Sequence, residues 1–296
     1  MTRGDRRVLL MRIGALGDVL LMRRLTFSLA LEGCGTTLFA PARHARVLAA
    51  DPWIDRILDS ESAAFGSAFA GSWPDAGPRD FDAAVVLSRS PELEKAATEA
   101  APQVWVVPPE PGREDESIAL QFAKATRPLA APFLGELPPL PTDARLAVSR
   151  DAVILHAGSG SKRKNWPIDR FVALGRTLAR EGLKVIWTKG PADEEPPVGA
   201  HDFEILESPP LAVLAATLAT ARAFVGNDSG VSHLAAAVGA PTLALFGPTR
   251  DAVWRPDGAF ARTMRAPEGK LERLDVASVM AAVRALPGFG PGETSD

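Results

Sequence analysis

Cysteine is almost missing from this chain. Of 296 residues only Cys34 carries a thiol, which excludes an internal disulfide and a cysteine-based metal site. That scarcity suits a reducing cytoplasm, the expected location. An excess of positive charge is also missing: 33 Lys and Arg against 36 Asp and Glu leave a formal charge of -3 and a pI near 5.9. The global basic footprint of a nucleic-acid binder is therefore absent, and any contact with a polyanion must be local. No set of His, Cys and carboxylate residues has metal-ligand spacing, so neither a bound metal nor a resident cofactor is expected. Long apolar runs are scarce. Residues 3–25 imitate the start of a secretory signal, but Arg12, Gly14, Gly17 and Asp18 interrupt the run too early for a signal core or a membrane span. Solenoid-like repeats, the Walker A spacing and the dinucleotide glycine fingerprint are all lacking.

What is present is an alternation of apolar strands and amphipathic helices, which implies parallel sheets covered on both faces. Strand candidates in the first half are residues 7–13, 36–40, 56–58, 83–87 and 103–107. In the second half they are residues 152–156, 184–188, 223–227 and 242–246. Between the halves, residues 128–142 carry Pro128, Pro132, Pro138, Pro139 and Pro141, the composition of a linker. With 46% hydrophobic residues the chain can supply a core to each of two domains, expected at 1–140 and 141–286, followed by a flexible tail at 287–296.

Two strand ends carry the chemistry. One strand runs into Gly226-Asn227-Asp228-Ser229-Gly230-Val231-Ser232-His233, a polar turn that restarts as a helix. Free N–H groups and the positive end of the helix dipole favour an anion there, although Asp228 or Ser229 as a plain helix cap explains the same residues. The other strand opens into Gly158-Ser159-Gly160-Ser161-Lys162-Arg163-Lys164, with Pro167 placed to begin a helix. Backbone amides of such a loop can wrap phosphate oxygens while Lys162 or Lys164 neutralises charge; a solvated basic loop is the competing explanation. Ligands of open α/β sheets bind at this carboxyl edge.

These blocks, with Arg12-Ile13-Gly14-Ala15-Leu16-Gly17-Asp18-Val19-Leu20 at the start and Gly239-Ala240-Pro241 and Phe246-Gly247-Pro248-Thr249 near the end, resemble glycosyltransferase family 9, the ADP-heptose heptosyltransferases. The resemblance implies an α/β GT-B architecture, two Rossmann-like parallel-sheet domains facing a central cleft. It implies a metal-independent, inverting transfer of a sugar, a heptose from an ADP-heptose-type donor, to a hydroxyl acceptor of a bacterial surface glycan such as lipopolysaccharide. By the same resemblance Asp18 is the general base. Ser159, Gly160, Ser161, Lys162 and Lys164 line the donor diphosphate, and Asp228, Ser229, Gly230 and His233 complete that site. Trp187, Thr188, Lys189 and Gly190, with Asp193 or Glu194, flank the nucleoside. Gly17, Arg23 and Arg89 fall on the acceptor side, where the chain departs from the family at Met22-Arg23-Arg24-Leu25 and Ser88-Arg89-Ser90. Partners are then the nucleotide sugar and the acceptor, with peripheral association at the inner membrane compatible with that acceptor. Two alternatives stay open: a nucleotide-sugar epimerase of the same fold, and a donor-binding homologue without transfer.

Overall fold

The computed structural model describes residues 6–110, 116–191, 193 and 198–289. The chain divides into two compact units, Met1–Leu137 and Pro138–Asp296. In the first, the order is β1 (Arg7–Met11), α1 (Leu16–Leu20), α2 (Arg23–Leu31), β2 (Gly35–Ala40), α3 (Ala42–Ala45), β3 (Arg56–Asp59), β4 (Ala83–Val86), α4 (Pro91–Ala100), β5 (Val104–Val106) and α5 (Ile118–Ala125). The strands form one parallel sheet in the order β3-β2-β1-β4-β5. β1 and β4 are continuous apolar runs because helices cover both faces of a parallel sheet. On one face Leu9, Met11 and Val86 pack with Phe39, Trp73 and Leu93. α4 starts where its residues dictate: Ser90 accepts from the Leu93 N–H, Pro91 begins the helix, and Glu92 and Glu94 sit in its positive first turn.

The second unit contains β6 (Val153–His156), α6 (Ile168–Arg180), β7 (Val185–Lys189), β8 (Glu204–Glu207), α7 (Leu211–Ala219), β9 (Ala223–Asn227), α8 (Gly230–Ala237), β10 (Thr242–Phe246), α9 (Asp251–Trp254), β11 (Ala261–Arg265) and α10 (Val276–Arg284). Its parallel sheet has the order β11-β10-β9-β6-β7-β8. The amphipathic α6 buries Phe171, Leu174 and Leu178 on that sheet. Gly175 permits the close approach, since a Cβ there would lie 2.7 Å from the Phe203 ring and 3.0 Å from Leu155. α8 ends at Gly239, whose φ of 85° is left-handed and suits glycine.

The strands expected from apolar runs are all present, but β8 and β11 were not anticipated. Both are sheet edges with polar or charged residues at alternate or terminal positions, Glu-Ile-Leu-Glu and Ala-Arg-Thr-Met-Arg, so neither shows the unbroken run of a central strand. Chain order reverses between β1 and β4 in one sheet and between β6 and β9 in the other. These are the topological switch points, the places where an open α/β sheet leaves room for a ligand.

Candidate functional site

At the switch point of the second unit, the loops after β6 and β9 meet. The Lys164 ammonium lies 2.8 Å from the Asp228 carboxylate. Thr249, just beyond β10, donates its hydroxyl to the same carboxylate at 2.6 Å. Three neighbouring strand ends thus converge on one charged cluster. Ser229 caps α8 by accepting from the Ser232 N–H, Gly230 opens the helix, and His233 is buried one turn on. An ammonium has three donors, and the contact with Asp228 uses one of them. Positive charge, hydroxyls and the N-terminus of α8 at one strand edge make an arrangement suited to a diphosphate.

Beside this cluster lies a pocket of about 320 Å³, lined among others by Gly158, Lys162, Trp166, Trp187, Lys189 and Asp193. Its floor is tightly built. A Cβ on Gly158 would fall 1.9 Å from an Asp193 carboxylate oxygen, so only glycine fits while that carboxylate stays in place. Asp193 also accepts from the Gly190 N–H at 2.7 Å and stands 3.7 Å from His156 Nε2. Burial pushes the His156 pKa below its ordinary value, against the opposing pull of Asp193 and of its contact with the Thr188 carbonyl. Aromatic Trp187 and the polar ends of Lys189 and Asp193 give the pocket the mixed lining of a small-molecule site.

Several residues expected to touch the donor are engaged within the protein. The Ser159 hydroxyl turns into its own loop, 2.8 Å from the Ser161 carbonyl and 2.5 Å from Asn165 Oδ1. Lys189 is held 3.1 Å from Glu207 on β8. Gly160 and Lys162 remain at the exposed rim, and Glu194 lies outside the described residues. Two residues that pattern reading passed over bind the cluster together: Thr249, and Asn227, whose side chain accepts from the Trp166 N–H at 2.9 Å and donates to the Ala157 carbonyl at 2.7 Å. Their presence inside the quoted motifs was the available signal.

In the first unit, Asp18 is the third residue of α1 and is not its cap, since the N-cap is Ala15. Its carboxylate accepts from the Ala15 N–H at 3.1 Å and pairs with the Arg12 guanidinium. Arg12 also donates to the Leu87 carbonyl at the end of β4, 2.7 Å away, and lies over the Phe122 ring of α5. Gly14 is required here, because a Cβ would sit 2.7 Å from the Asp18 side chain. The expectation that Arg23 faces an acceptor is corrected: its side chain is 2% exposed and donates through Nε and Nη2 to Asp51 at 2.8 and 3.0 Å. Burial pushes the Asp51 pKa up, and the Arg23 contact opposes that rise. Gly17 is likewise buried within α1. Arg89 is exposed after β4 and donates to the Pro109 carbonyl at 3.1 Å.

With this geometry in place, comparison with known proteins is informative. The profile of glycosyltransferase family 9 (heptosyltransferase) matches residues 91–283. Lipopolysaccharide heptosyltransferase 1 of Escherichia coli K12 is 32% identical over 152 residues, 50% of this chain and 46% of that protein. The enzyme of the same name from Pseudomonas aeruginosa is 36% identical over 116 residues, 38% of this chain and 32% of that protein. The aligned stretches thus span less than half the length of these relatives. Among solved structures, a family 9 glycosyl transferase from Veillonella parvula superposes with a TM-score of 0.79 at 18% identity, over 96% of this chain and 97% of that one. An E. coli heptosyltransferase solved with ADP does so at 0.73 and 19%, over 94% and 99%. At such identities the likeness establishes the fold alone, which is GT-B.

Proposed function

The chain belongs to glycosyltransferase family 9, and from that premise we propose that it transfers a sugar, a heptose from an ADP-heptose-type donor, to a hydroxyl of a bacterial glycan, with inversion and without a metal. The observation that carries this reading is the Lys164–Asp228–Thr249 cluster at a sheet switch point beside the pocket. In the reaction, the acceptor hydroxyl gives its proton to the Asp18 carboxylate while its oxygen attacks the anomeric carbon. The bond from that carbon to the diphosphate breaks, and its electron pair leaves with the phosphate oxygen. A single displacement inverts the anomeric centre. Negative charge develops on the leaving diphosphate, where the Lys164 ammonium and the N–H groups at the start of α8 oppose it, the task a metal performs elsewhere.

The relatives whose structures contain ADP or ADP-2-deoxy-2-fluoro heptose favour an adenine nucleotide as the donor's leaving half. The test is calorimetric binding of ADP, GDP, UDP and dTDP, followed by incubation with ADP-heptose and acceptor in the presence of EDTA. Expected are selective ADP binding and a product of inverted configuration. Donor epimerised without transfer, or donor bound without turnover, would each replace this reading by one of its two competitors.

A further inference from the structure

The ladder between β6 and β9 ends with His156 opposite Gly226. One residue further on, a side chain takes over. Asn227 is fully buried, and its amide bonds both ends of the loop that leaves β6: Nδ2 donates to the Ala157 carbonyl at 2.7 Å, and Oδ1 accepts from the Trp166 N–H at 2.9 Å. Residues 158–165, which include Lys164, hang between those two points. The far point is firm, because the Trp166 indole is buried and donates to the Leu274 carbonyl at 2.7 Å. Asp228, the partner of Lys164, is the next residue in the chain after Asn227.

We infer that Asn227 is a positioning residue for the donor site: its amide sets the register of the cation-bearing loop against the Asp228 turn, so that Lys164 meets the diphosphate already in place. This rests on the reading above, in which Lys164 binds the donor. Asn alone among side chains of this size offers an acceptor and a donor in one fixed plane. Aspartate lacks the donor, leucine lacks both, and serine is too short to span both points. A loop pinned at each end does not have to be ordered when ligand arrives, so its cation contributes more fully to affinity.

A thermodynamic cycle separates positioning from mere support. ADP affinity is measured by calorimetry for the full chain, Lys164→Ala, Asn227→Leu and the double variant, with thermal melting beside each. In the parent, Lys164→Ala should weaken ADP binding roughly 10- to 100-fold, the worth of a hydrogen bond between charged groups. In the Asn227→Leu background the same change should cost about threefold or less, because the unpinned loop no longer presents the ammonium; contacting groups couple in this way and independent ones add. Asn227→Ser carries the same cycle with a smaller side chain should Asn227→Leu fail to fold. A full Lys164 effect in a folded Asn227 variant overturns the inference while leaving the donor site intact. No Lys164 effect in the parent overturns the donor reading, and the inference falls with it.

Discussion

Replacing Asp18 by Asn keeps the shape of the side chain and removes its ability to take a proton. The contacts of Asp18 predict that the change is felt in the fold. One carboxylate oxygen holds Arg12 and the other holds the Ala15 N–H at 3.1 Å. An amide can accept only one of these, and its NH2 group must then face an N–H donor. The side chain cannot swing aside easily, since it lies against Gly14. Losing a charge-assisted bond here should cost roughly 1.5 to 3 kcal/mol, a fall in melting temperature of about 3 to 12 °C. Transfer should fall much further, by roughly 10²- to 10⁴-fold, the usual contribution of a positioned base. ADP affinity should not change, because the proposed donor residues belong to the second unit. The assays are single-turnover transfer, circular-dichroism melting and calorimetry on both proteins. Near-normal transfer refutes the base and leaves Asp18 as a helix-start and Arg12 partner only.

Three further outcomes follow from the geometry. Gly158→Ala should drive Asp193 from its place and free the Gly190 N–H, lowering stability by about 1 to 3 kcal/mol and weakening ADP binding; adding Asp193→Ala should recover much of the stability, and a single variant that melts like the parent contradicts the packing argument. Arg23→Met should cost roughly 3 to 5 kcal/mol by stranding a buried Asp51, whereas Arg23→Met with Asp51→Leu should cost far less; a stable single variant with a raised acceptor KM would instead return Arg23 to the acceptor site. Burial depresses the His156 pKa, so the unfolded chain takes up this proton first as pH falls. Its contribution to stability is therefore complete above about pH 6.5 and is lost below it. Denaturant titrations at pH 7 and pH 5 should show that loss and show less of it in His156→Gln; equal losses in both proteins would exonerate His156.

The fold was legible wherever burial on both faces of a sheet forces an unbroken apolar run, as in residues 223–227 and 242–246. It was illegible at β8 and β11, whose outer edges face solvent and tolerate Glu and Arg. The anion-binding loops were visible as residue types at strand ends, because glycine, serine and lysine have few other reasons to cluster there. Their internal wiring was not. That Ser159 bonds Asn165, or that Asn227 reaches Ala157 and Trp166, depends on which strands are neighbours, and chain order hides the fact that β9 returns to lie beside β6. Arg23 was misjudged for a related reason: its acceptor-side assignment followed from its place after the Asp18 turn, and nothing local discloses an Asp51 buried 28 positions later.

Among the described residues each switch point holds an ion pair of a carboxylate and a cation, Asp18 with Arg12 and Asp228 with Lys164, and the two pairs differ. In the first unit the cation is the committed member. Arg12 is 9% exposed and fixed by Leu87 and Phe122, while its partner Asp18 is 27% exposed. In the second unit the order is reversed: Asp228 is 7% exposed and held by Thr249, while Lys164 is 32% exposed. The group left facing solvent is thus a carboxylate in one unit and an ammonium in the other. Exchanging the roles would fail on physical grounds. A buried guanidinium locked to a carbonyl cannot follow a departing phosphate. Under the proposed reaction, the more exposed member of each pair, Asp18 in the first unit and Lys164 in the second, is the one assigned to a ligand.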